Sequence, residues 1–192
     1  YVLNDGSPAG HPATNPAVNL TSYTVLTNGS GNISLLPALR NGYTFQGWYD
    51  NAAFTGAPIT SFPAMDAAPK TFYAKWSSAN NYSVTYTLND STPAGHPATN
   101  PNTVTSYTVL DPNITLAPAT RTGYDFEGWY DNPGFTGTPI TSFQTSDAAD
   151  KHYYAKWSAP KNYTVQWNLN DSAPAGHPAT NPNSVANYTV LD

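Results

Sequence analysis

Three histidines recur in register. His11, His96 and His177 each stand in the string PAGHPATNP. Imidazole ligates metals and moves protons near neutral pH, so these are the first groups to test. There is one per repeat, and a compact unit of about 80 residues is roughly 30 Å across. The three meet in one metal site only if the chain folds back. Each lies between Gly and Pro, which reads as a structural or exposed turn. His152 has Thr71 as its counterpart and is not part of the repeat.

Carboxylates are sparse. Glu127 is the sole glutamate, and Gln46 stands at its counterpart. Asp90, Asp131 and Asp147 recur as Asp5, Asp50 and Asp66. Glycoside hydrolysis requires two acids facing one bond. These aspartates instead adjoin Asn in turn-like strings or precede Ala-Ala, where a carboxylate accepts backbone N–H groups. A weak calcium site is the alternative, since calcium takes about six or more oxygens. There is no Cys, which removes disulfides and thiolate zinc sites. No G-x-S-x-G elbow and no phosphate-binding glycine spacing occur. The N-x-[ST] strings at Asn113 and Asn162 read as ordinary strand and turn residues. Lys75 and Lys156 recur beside Trp76 and Trp157; a Lys–Asn or Lys–Asp cross-link is one reading. A lysine with its stem over an aromatic is the simpler one. Trp48, Tyr49 and Phe54, repeated as Trp129, Tyr130 and Phe135, form either the core of a small domain or a platform for stacking sugars. The residues offered for ligand contact are Trp48, Tyr49, Trp129 and Tyr130. No cofactor is expected.

The elements that position these groups are strands. Tyr82, Val84, Tyr86 and Leu88 alternate with polar residues, and Tyr163, Val165, Trp167 and Leu169 repeat the pattern; period two means a half-buried strand. Residues 106–110 (SYTVL) read as a second strand antiparallel to the first. Tyr124, Phe126 and Trp129 make a third stretch punctuated by Gly123 and Gly128. Tyr153, Ala155 and Trp157 share one face of a last strand. A short helical turn is expected in residues 131–135 or 146–150. With 14 Tyr, 7 Phe and 5 Trp there is enough apolar surface for a core despite 18 Pro.

Repetition organises the chain. YVLND, YTLND and WNLND open three copies at 1, 86 and 167. GYTFQGWYDNAAFTGAPITSF at 42–62 returns as GYDFEGWYDNPGFTGTPITSF at 123–143, and YAKW stands at 73–76 and 154–157. The spacing is 85 residues from His11 to His96 and 81 from His96 to His177. Most of the difference falls where TNGSGN (27–32) faces DPN (111–113), as expected for a surface turn. The period exceeds the solenoid range of about 20–50 residues, and a unit this size can bury its own core. Three modules are expected: 1–76 with a truncated first strand, 82–157, and a partial copy, 163–192, holding the opening hairpin. The net charge is −5, and the 7 Lys+Arg do not cluster. This excludes nucleic acid and a polybasic membrane segment as partners. No apolar run approaches about 18 residues, so no membrane insertion is expected. The chain opens inside a strand-like pattern and reads as a fragment, with export signals and wall anchors expected outside it.

The string GY-x-F-x-GWYD-N-x-x-F-T-G-x-x-I, followed by YAKW and preceded by a Y-x-V-x-Y strand, resembles the Listeria–Bacteroides repeat of internalin-like surface proteins. Its motif positions here are Gly42, Tyr43, Trp48 and Trp76, and Gly123, Tyr124, Trp129 and Trp157. The resemblance implies β-dominated α+β, β-grasp-like modules in an elongated string, in an extracellular bacterial protein of the cell surface or wall. The segment LND-x-x-PAGHPATNP replaces the family's short glycine-rich link, so no binding role of that link carries over. The implied function is a non-catalytic stalk or spacer that projects a terminal domain. The alternative is an adhesive module that binds a host glycan or protein through exposed aromatics. An enzyme is the third reading and lacks convergent carboxylates. Neighbouring repeats in the same chain are the other expected partners.

Overall fold

The computed structural model describes residues 1–169 and 180–192. Short strands and turns make up these residues. The helical content is two 3-10 turns, Thr27–Ser30 and Thr145–Asp147. The expected α+β class therefore reduces to a β-dominated fold with almost no helix. The reason is local: no segment sustains a 3.6-residue apolar period, and proline and glycine interrupt the chain throughout.

The chain divides into two compact units. The first holds residues 1–83, 106–113 and 144–150; the second holds 84–105, 114–143 and 151–192. In the first, the strands Tyr43–Tyr49 and Tyr73–Ala79 pair antiparallel, with Trp48 opposite Ala74. Val2 bridges Tyr73 in parallel, through N–H bonds from Val2 to Phe72 O and from Ala74 to Val2 O at 2.8 and 2.9 Å. Asn32–Ser34 pairs with Ser61–Pro63, and Ala13–Thr14 with Leu39–Arg40. Ile33, Leu35, Ala38, Trp48, Phe62, Ala64, Phe72 and Ala74 form the core, all from residues 1–76.

The second unit repeats the scheme. Phe126–Tyr130 pairs antiparallel with Lys151–Trp157, whose start runs parallel to residues 84–87. Ile114–Thr115 pairs with Ser142–Phe143, and Ala98–Thr99 with Thr120–Arg121. Val84, Leu116, Ala119, Trp129, Phe143, Tyr153 and Ala155 are buried. The period-two pattern thus placed Val84, Tyr153 and Ala155 inside, whereas Tyr163, Trp167 and Leu169, expected on a half-buried strand, are exposed.

A glycine aims the central tryptophan. Gly47 lies at a register irregularity of its strand with φ of +130°, and a Cβ there would stand 2.6 Å from Pro58 Cβ. Gly128 repeats this with φ of +131° and Pro139 at 2.5 Å. The bulge turns the following indole inward.

Residues 106–110 differ from expectation. Only Ser106–Tyr107 is strand, antiparallel to Tyr82–Ser83, and the chain then turns. The insertion expected at a surface turn is the exposed Thr27–Ser30 turn, with Asn28 and Gly29 left-handed. A 3-10 turn at Thr145–Asp147 lies at the edge of the stretch expected to be helical. The opening strand of the partial copy is reduced to Tyr163–Thr164, paired with Asn187–Tyr188 and exposed.

Candidate functional site

Each of the two complete repeats holds a buried, multiply bonded arginine that motif reasoning passed over. Arg40 is 6% exposed. Its Nε donates to His11 O at 2.9 Å, and its Nη2 to Ser7 O at 3.1 Å and to Asp5 O and Pro8 O at 3.4 Å. Its guanidinium stacks over Tyr43, 4.0 Å from the ring centroid. Arg121 repeats this on His96 O, Thr92 O, Asp90 O and Pro93 O, over Tyr124 at 4.2 Å. The planar fork gathers the carbonyls of the proline-rich loop, as a lysine point charge does not. The loop closes on itself too: Asp5 Oδ2 accepts Ala13 N–H, and Asp90 Oδ2 accepts Ala98 N–H, both at 2.6 Å. The signal was available, for the chain has two arginines and they stand 81 residues apart.

The residues proposed for ligand contact lie inside. Trp48 and Trp129 are each 1% exposed, Tyr49 and Tyr130 each 6%. Trp48 Nε1 donates to Leu36 O at 2.9 Å, and Trp129 Nε1 to Ala117 O at 2.8 Å. Phe45 and Phe126 meet the two indoles edge-on at 5.3 and 5.4 Å. Neither Trp48 nor Trp129 has an indole face open to a sugar ring. Trp76 and Trp157 are half-buried and donate to Leu3 O and Leu88 O at 2.7 and 2.6 Å, tying the opening segment to the last strand. Gly42 and Gly123 hold φ of +78° and +81°. Tyr43 and Tyr124 are buried beneath the arginines, and their hydroxyls have no hydrogen-bond partner.

The remaining reactive groups are dispersed. His11 and His96 each lie about one ring from the arginine-stacked tyrosine, at 6.0 Å from Tyr43 and 6.3 Å from Tyr124. His177 lies outside the described residues. His152 stacks on Tyr154 at 4.3 Å, and its Nε2 hydrogen-bonds Thr87 Oγ1 at 2.8 Å. Asp50 and Asp131 each accept from the next Asn at 2.9 Å, and Asp66 pairs with Lys70. Lys75 Nζ is 5.3 Å from the Tyr49 ring centroid. Lys156 bonds Glu127 at 3.0 Å, and that carboxylate raises the ammonium's pKa above its ordinary value. Among the described residues no three His, Asp or Glu side chains converge on a metal-sized site.

Two grooves open on the first unit. One, of about 580 Å³, is lined by Tyr1, Leu20, Tyr23, Phe62, Lys70 and Phe72. The other, of about 450 Å³, has Arg40, Tyr43, Phe54, Lys75, Trp76 and Leu110 in its wall. No described helix is long and apolar enough to cross a membrane.

The Listeria-Bacteroides repeat domain matches residues 14–75 and again residues 82–156. Two proteins of Evansella cellulosilytica are similar. One, provisionally named a membrane protein, is 29% identical over 167 residues, covering 80% of this chain and 23% of its own length. Another, provisionally named a Gly-rich membrane protein, is 29% identical over 143 residues, covering 74% of this chain and 15% of its own length. The chain therefore spans under a quarter of either relative. No solved structure matches it at a significant level.

Proposed function

Because this chain belongs to the Listeria–Bacteroides repeat family, we propose that it is a non-catalytic stalk or spacer region of a bacterial cell-surface protein, outside the cell, projecting a terminal domain. One observation carries the reading. The groups of each repeat best suited to recognition are spent on the repeat itself: the indole N–H groups of Trp48 and Trp129 and the guanidinium groups of Arg40 and Arg121 all end on backbone carbonyls. A module built this way contributes length and resistance to unfolding.

Parallel pairing of the opening segment with the last strand, with the antiparallel Trp strand on the other side, supports β-grasp-like modules strung in tandem, at roughly 30 Å per module. Chains of two, four and eight copies displayed on a cell beneath one terminal epitope test the spacer. Access of a bulky antibody to the epitope should rise with copy number. Access independent of copy number would refute it.

A further inference from the structure

The turn that follows each Ser-Tyr or Asn-Tyr pair is held by its own side chains. Thr108 N–H donates to Asp111 Oδ2 at 2.6 Å, and Leu110 N–H to Thr108 Oγ1 at 3.2 Å. Thr189 and Asp192 repeat the first bond at 2.6 Å, and Leu191 N–H reaches Thr189 Oγ1 at 3.1 Å. In the first copy Thr27 replaces the aspartate: Thr24 N–H donates to Thr27 Oγ1 at 2.8 Å, and Leu26 N–H to Thr24 Oγ1 at 3.3 Å. Such local bonds fix a turn whatever surrounds it. All three turns present a valine at the tip: Val25, Val109 and Val190.

The surroundings of the three valines differ. Val109 is 5% exposed, and a Cβ on Gly42 would stand 2.3 Å from its Cγ1. Val190 is half-buried, and a Cβ on Gly123 would stand 2.1 Å from its Cγ1. Val25 is 39% exposed and Leu26 beside it 75%. Each seated valine comes from the copy after its glycine. Each seat is built alike, with the caged arginine two residues before the glycine and a returning amide bonded to the glycine carbonyl. These amides are Asn80 N–H on Gly42 O and Lys161 N–H on Gly123 O, both at 2.8 Å. Only a residue without Cβ leaves room for the two valine methyls, and both glycines hold a positive φ.

We propose that this valine is a latch by which each copy seats on the Arg-x-Gly-Tyr turn of the copy before it, and that the exposed Val25–Leu26 tip is the docking knob for that turn of one further copy. The occupant follows from identity: the same self-bonded turn is seated twice, both times on the same glycine turn. The inference rests on the repeat-array reading and gives its neighbours a specific contact. Stability then passes from copy to copy through the latch, as in other linear repeats where interfaces add to intrinsic terms.

Amide hydrogen exchange on the full chain tests it. Val109→Ser should speed exchange of the Asn80 amide on the order of tenfold, the scale set by emptying a packed valine site. The Lys161 amide should be unmoved, and Val25→Ser should change neither. Val109→Thr keeps the shape and guards against a misfolded serine variant; it should give a smaller effect of the same sign. The latch is overturned if both Val109 variants leave Asn80 at its original rate, or if Val25→Ser matches them. For the docking knob, residues 82–166 are placed ahead of Tyr1; this keeps the repeat frame, since Trp167 and Tyr1 are equivalent positions. Protection of Val25 should rise to that of Val109, and Val25→Ser in the longer chain should cancel the gain. An unprotected Val25 there refutes the docking. An unlatched array would still lift an epitope as copies are added, so failure here is distinct from failure of the spacer reading.

Discussion

Replacing Arg121 with Met should unfold its repeat well before the other one. The side chain is 6% exposed and serves four carbonyls and one ring. The bonds to His96 O at 2.8 Å and Thr92 O at 3.1 Å are well formed, whereas the two at 3.3 Å are marginal. Two charge-assisted bonds at about 1.5 kcal/mol each, with about 1 kcal/mol from the cation–π stack, give a loss of about 4 kcal/mol. Methionine restores apolar contact with Tyr124 but leaves the carbonyls without a donor. For a module of this size the loss lowers the midpoint by more than about 15 °C. Urea or thermal unfolding followed through the indole N–H signals of Trp48 and Trp129 separates the copies: Trp129 should go first in Arg121→Met, and Trp48 first in Arg40→Met. Lys156→Met removes an exposed pair and should leave the midpoint where it was. An Arg121→Met chain within about 1 kcal/mol of the parent would show that the loop is held by something else.

Tyr124→Phe should be neutral or stabilising by up to about 1 kcal/mol in urea titration, because the buried hydroxyl has no partner; a loss above that would reveal a bond to it. Gly128→Ala should cost about 2–3 kcal/mol by the same assay, since a Cβ meets Pro139 at 2.5 Å on a backbone with positive φ. Trp129→Phe should cost about 1–3 kcal/mol by stranding the Ala117 carbonyl and opening space, while Trp167→Phe, at a half-exposed site, should stay within about 0.5 kcal/mol. Burial raises the pKa of Tyr86. The neutral phenol is therefore favoured in the folded state, and its contribution is complete at neutral pH and lost as pH climbs past the ordinary tyrosine range. Tyr86→Phe should flatten the alkaline end of a stability–pH curve, and an unchanged curve would assign that limb to other groups.

Much of the fold was legible because strand periodicity and repetition are local properties. Tyr153 and Ala155 share the buried face predicted for them, and the antiparallel partner of Tyr82 falls where SYTVL begins. Thr, Val and Leu carry β propensity, so the sequence extends the strand to 110 although it ends at Tyr107. The side-chain bonds of Thr108 and Asp111 override it after two residues. The sequence does not choose between core and platform for Trp48 and Trp129, since an indole favours either. Burial is decided by what covers the ring, here Phe45, Phe126 and the strands of residues far along the chain.

The amino-acid sequence by itself determined the period, the motif and the β character of this protein, because each is written in the spacing of neighbours. Only the tertiary structure decided that two lone arginines cage the proline-rich loops and that a valine of one copy rests on a glycine of the copy before. Both depend on which backbone atoms arrive at one point from segments 25 to 67 residues apart. No local pattern encodes that convergence. It is set when the strands close around the core and bring those carbonyls and that bare Cα to the same place.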